Sequence, residues 1–179
     1  LVLSAAIVPL AGYPLLYLPV HIVWLELVIH PTALLVFQEL PTTERLLPVE
    51  ARDRARFFGF SAWLVIGSVG AWVTLTVVLG YGYALGEDSD VAHARSMAII
   101  ALLIASAATT ASLSRLRSWA AWAVVLGSLA SLLLLVQVPA LAEVVHLRPL
   151  HIDDWAISAT AGALAGFMSL LTPLALRRL

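Results

Sequence analysis

Stretches of about twenty apolar residues recur along this chain, and they constrain the fold more than any other feature. Spanning a hydrocarbon core of roughly 30 Å takes about 20 helical residues, and only a helix satisfies its own backbone there without a closed barrel. Five complete runs meet that length: Pro19 to Phe37, Phe57 to Leu85, Arg95 to Leu113, Trp119 to Pro139 and Asp154 to Leu176. A partial run, Leu1 to Tyr13, is interrupted by Pro9 and Gly12. The expected fold is therefore all-α, a polytopic transmembrane bundle of about six helices with the first one partial, forming a single membrane domain over residues 1–179.

Composition agrees with that solvent. Of 179 residues 61% are hydrophobic and 12% charged, and the mean hydropathy is +0.98, far from the balance of a water-soluble domain. The basic residues are ten arginines with no lysine, which excludes a GxxxxGKS phosphate loop and Schiff-base chemistry. With no cysteine there is neither a thiol nucleophile nor a disulfide framework. A net charge of -1 leaves no basic stripe for a run of phosphates, so nucleic acid is not an expected partner.

The arginines also orient the bundle. Arg45, Arg52, Arg54 and Arg56 precede the third run, Arg115 and Arg117 separate the fourth from the fifth, and Arg177 and Arg178 close the chain. These eight of the ten fall in alternate loops, as the positive-inside rule predicts for cytoplasmic connections. The opposite loops hold Glu87, Asp88 and Asp90, then Glu143, Asp153 and Asp154. An integral protein, of the cell membrane, with a cytoplasmic C-terminus is expected. The polar segment from Gln38 to Arg56 reads as an ordered cytoplasmic loop too short for a globular insert.

Small residues supply the packing signals. Gly162 and Gly166 form a GxxxG pair, Gly127 and Ser131 a similar one, and Ser106 to Ser112 is almost wholly Ala, Ser and Thr. Trp119, Trp122 and Trp155 stand near helix ends, where an aromatic belt belongs. Among the outer-loop charges, Asp153 is expected to cap the last helix. A metal site formed by His146, Arg148, His151, Asp153 and Asp154 is the weaker reading, and His93, Glu87, Asp88 and Asp90 read as loop charges.

One run carries ionisable groups inside it: LPVHIVWLELVIHPTALLVFQ, with His21, Glu26 and His30. Such groups at membrane depth are costly unless paired, protonated or facing a cavity, and they mark ion and proton paths. Glu26 and His30, four residues apart, share one helix face, whereas His21 is displaced around the helix toward its outer end. Pro31 deprives the Leu27 carbonyl of its helical donor, so a carbonyl, a carboxylate and an imidazole converge at mid-depth. Discontinuities of this kind build ion sites in transport proteins, although hydrogen bonding to a neighbouring helix would account for the same residues.

These residues resemble a known family. The Pro19, Trp24, Leu25, Glu26 and His30 pattern looks like the sixth transmembrane helix of P-type cation-transporting ATPases. The run Ala94, Arg95, Ser96, Met97, Ala98 is similar to the opening of their eighth helix. The Val138-Pro139 pair and the Pro149-Leu150 to Trp155 entry resemble the connection from the ninth helix into the tenth. The resemblance covers essentially the whole chain and implies a fragment from within the fifth helix to the C-terminus, consistent with a start inside an apolar run. It implies a pump in which ATP phosphorylates an aspartate in cytoplasmic domains. ATP and Mg2+ are thus expected only in those missing domains, with no cofactor or catalytic residue in this segment and no hydrolysis by it alone.

By the same resemblance the partners are the lipid bilayer, a transported cation, the missing cytoplasmic domains and the first transmembrane helices. Glu26, His30 and His21 are the candidate ion-pathway residues. Glu26 and His30 occupy positions where calcium pumps carry Asn and Asp, Ile29 replaces a Thr, and Ser106 stands at an acidic position. A carboxylate with an imidazole suits a proton or a transition ion better than calcium, which prefers six to eight oxygens. A stand-alone channel or carrier, and a structural subunit without transport, are the competing readings.

Overall fold

The computed structural model describes residues 1–38, 60–88, 90–114 and 119–176, and the side chains of 29–38, 60–62, 65, 88, 112–114, 120, 169–170 and 172–176 lie outside that description. Among the described residues the chain is helical without strands: α1 (Val2–Leu10), α2 (Pro19–Gln38), α3 (Phe60–Asp88), α4 (Val91–Ser114), α5 (Trp119–Gln137), α6 (Pro139–Val144) and α7 (Ile152–Leu176). Two stretches, Ile66–Glu87 in α3 and Val91–Ala111 in α4, pass both the length and the hydropathy required of a membrane span. Shorter apolar stretches occupy α2 and α5. The arginine-rich segments around 45–56, 115–117 and 177–178 lie outside the described residues.

The sequence of α4 explains its central place. It is apolar on every side rather than along one stripe, so burial all round is its stable environment. Ile99, Ile100, Leu103, Ala94 and Ala98 are buried, and α3, α5 and α7 enclose the helix, with α2 touching it more lightly. The enclosing helices keep apolar side chains outward, such as Leu79 and Tyr83 on α3 and Leu164 and Phe167 on α7. Outward apolar surface on this scale is what lipid contact requires.

Small residues set the closest approach. A Cβ on Gly162 would collide with the Ala101 carbonyl oxygen, and one on Gly166 would lie 2.8 Å from the Ala108 Cβ. The GxxxG pair of α7 therefore seats on the alanine-rich run of α4, as its sequence predicts. The Gly127 and Ser131 pair does not behave so. Added volume at Gly127 meets open space, with nothing within 4 Å of it.

Helix ends correct several sequence-based boundaries. α4 begins four residues before Arg95, because the Asp90 carboxylate accepts the Ala92 and His93 amides at 2.9 and 3.3 Å and caps the first turn. Asp90 is thus a helix cap rather than a loop charge. α7 likewise begins at Ile152, and the capping contact comes from Asp154, which accepts the His151 amide at 3.3 Å, rather than from Asp153. The reason is geometric: Asp154 is the third helical residue, the position that reaches back to the cap amide. The fifth run ends at Gln137, and Pro139, lacking an amide, opens the separate helix α6.

Both short helices stop by the same device. After α1, the Tyr13 amide bonds the Val8 carbonyl and the Gly12 amide the Pro9 carbonyl, with Gly12 at φ 84°. After α6, the Leu147 amide bonds Ala142 and the His146 amide bonds Glu143, with His146 at φ 54°. These are Schellman stops, which turn the chain sharply and leave the carbonyl of the cap residue without an intrahelical donor. In α6 that cap residue is Val145.

Candidate functional site

The two turns bring the 13–18 and 145–151 loops to one end of the bundle, where side chains from the helices hold them. Tyr81 of α3 donates its hydroxyl to the Pro14 carbonyl at 3.1 Å. Arg95 of α4 donates Nε and Nη2 to the Leu15 carbonyl at 3.0 and 2.9 Å. Its neighbour Ser96 donates its hydroxyl to the Arg148 carbonyl and accepts the Arg148 amide, 2.9 Å each. Gln137, closing α5, donates to the Leu150 carbonyl and accepts the Trp155 indole N–H, both at 3.2 Å.

Burial shuts the Tyr17 hydroxyl, 3.1 Å from Ser4 Oγ, away from water and pushes it up to about 12, so it remains neutral. Arg148 pairs with Asp90 and holds that carboxyl below its usual range, helped by the two capping amides. A polar cleft of about 500 Å³ opens beside this pair, lined by His93, His151, Asp153 and Asp154 as well. Asp90, Arg148, His93 and Asp154 in it are engaged in capping and pairing, His93 lying 3.7 Å from Asp154. Among the described residues no group of three His, Asp or Glu side chains is arranged to hold a metal ion.

α2 enters from this same end. Pro19 occupies its first turn, and the helix continues through Pro31 to Gln38 without ending there. Its buried side follows the 3.6-residue period through His21 and Leu25, 1% and 0% exposed, against α5 and α4. Glu26 falls about 100° further round and is exposed, together with Ile22, Val23 and Leu27. The backbone of His30 lies one turn beyond Glu26, and its side chain is outside the described residues.

His21 is placed differently. The Leu18 amide donates to its Nδ1 at 3.2 Å, so Nε2 carries the proton and donates to the Val145 carbonyl at 2.5 Å. One ring thereby satisfies an orphan amide at the start of α2 and the orphan carbonyl at the end of α6. The contact spans 124 residues, and no spacing rule in the sequence could have revealed it.

The motifs that carried the resemblance thus have physical duties: Arg95 and Ser96 clamp two loops, Ala94 and Ala98 let α4 be enclosed, and Trp155 meets Gln137 across the Val138-Pro139 break. Comparison with protein families agrees. The family described as cation transporting ATPase, C-terminus, matches residues 14–175. The chain belongs to this family. No curated protein and no solved structure matches it. As a member of this C-terminal domain family it is a membrane-associated helical domain, and the enclosed α4 with its alanine-rich seat for α7 is the frame on which α2 is carried.

Proposed function

We propose that residues 1–179 form one membrane domain supplying part of the ion-binding pathway of a cation-translocating ATPase, with Glu26 and His30 at its core and His21 at its outer mouth. The observation that supports this reading is Glu26 itself. It is an acid within an apolar helix of a family that moves cations, at an exposed position of α2. An acid at membrane depth costs several kcal/mol unless it is paired, protonated or facing a cavity, and such residues mark ion and proton paths.

Pro31 adds to this chemistry. It has no amide to offer the Leu27 carbonyl, so an oxygen ligand stands one residue beyond Glu26 along α2. A carboxylate, an imidazole and a carbonyl suit a proton or an imidazole-accepting ion. ATP and Mg2+ belong to the cytoplasmic domains of the parent pump, and the C-terminus lies on the cytoplasmic face of the cell membrane. Ion-stimulated ATPase activity of the full-length protein tests the assignment: Glu26→Gln and His30→Ala each raise the half-saturating ion concentration about tenfold or more if a ligand worth about 1.4 kcal/mol is lost. Unchanged ion dependence in both variants removes it.

A further inference from the structure

We infer that His21 anchors the outer end of α2 as a pivot, so that α2 moves in transport by tilting about this residue while the loops around it stay in place. The inference deepens the ion-pathway reading and rests on it for its consequence in transport; the anchor itself rests on geometry.

The ring has no coordinating lone pair left. Nδ1 accepts the Leu18 amide, Nε2 bears the proton donated to Val145, and the residue is 1% exposed. His21 therefore acts by position and not as a ligand. Both partners are backbone groups of loops that are themselves clamped: the 13–18 loop by Tyr81 and Arg95, the 145–151 loop by Ser96 and Gln137. The fixed point thus belongs to the α3–α4–α5 frame.

Below this point the described side chains of α2 meet the core through Leu25 and Trp24. Leu25 is buried, but Val23 and Leu27 are 60% and 67% exposed, and among the described residues α2 packs on α5 and α4 without contacting α1, α3 or α7. A helix fixed at one end responds to force by tilting about that end. At 1.5 Å rise per residue, Glu26 and His30 lie about 7.5 and 13.5 Å along the axis from the pivot, so a tilt of about 10° displaces them by about 1.3 and 2.4 Å. Ligand distances tolerate only about 0.2 Å, so a small tilt suffices to break coordination.

The test uses the full-length protein in lipid nanodiscs, comparing His21→Ala with His21→Gln. Gln keeps an acceptor for the Leu18 amide and a donor for Val145, and it is a favoured residue at this capping position. In His21→Ala, amide exchange should rise about fivefold or more in residues 14–22 and 141–150, the factor expected for a hydrogen bond worth about 1 kcal/mol. The maximal ion-stimulated ATPase rate should fall while the half-saturating ion concentration stays within about twofold, and His21→Gln should restore both exchange and rate. Unchanged exchange at 141–150 in His21→Ala overturns the anchor. So does a folded His21→Gln protein that remains as impaired as the alanine variant. A tenfold shift in ion affinity with normal exchange would make His21 a ligand instead. If exchange responds as expected while Glu26→Gln and His30→Ala leave ion dependence intact, the anchor stands and the pathway assignment falls.

Discussion

Arg95 holds the Leu15 carbonyl with two N–H groups of one guanidinium, at 3.0 and 2.9 Å, so α4 fixes the loop that feeds α2. A planar fork can make this double contact, whereas an ammonium makes one bond at a time. Arg95→Ala should therefore lower stability by about 1 kcal/mol, a discounted value for a partly exposed charged donor, and Arg95→Lys should recover less than half of the loss. Thermal unfolding in detergent measures both. Equal stability of the three proteins would show that the clamp is dispensable.

The two glycine pairs predict opposite outcomes. Gly162→Ala places a methyl against the Ala101 carbonyl oxygen, a backbone atom that cannot rotate away, and should cost about 1–3 kcal/mol through forced separation of α4 and α7. Gly127→Ala meets nothing within 4 Å and should be neutral or stabilising by up to about 1 kcal/mol from helix propensity. Melting temperatures of the two variants side by side decide the matter, and a reversed order contradicts the packing described.

Acid should release the Asp90 cap pair. The Arg148 hydrogen bond depresses the Asp90 carboxyl below its ordinary 3.8, so this group contributes stability above that value and loses it as pH falls through its lower folded value. Arg148 is 63% exposed, so water screens the pair and the contribution is small. Asp90→Asn keeps a good helix cap while removing the titration. Unfolding temperature recorded from about pH 6 down to about pH 3 should fall more steeply for the native protein than for Asp90→Asn. Parallel curves would remove Asp90 from the acid response.

Much of this was legible from residue order alone. The lengths of the apolar runs pointed to an all-helical bundle, because about 20 residues span hydrocarbon as a helix whereas a barrel strand needs only about 10. Asp90 before Val91 and Pro139 after Val138 were also readable as a cap and a restart. Gly162 and Gly127 mark the limit of such reading: both sit in small-residue pairs, and their sequences do not say which one faces a neighbour.

The ionisable residues of α2 divide in the same way. That His21, Glu26 and His30 belong inside one apolar helix, and that Glu26 and His30 share a face, follows from the 3.6-residue period without any coordinates. That His21 points inward to the Val145 carbonyl while Glu26 is exposed was decided by tertiary structure. Local spacing sets where side chains lie around their own helix. Only the folded chain brings a carbonyl from 124 residues away to meet one of them.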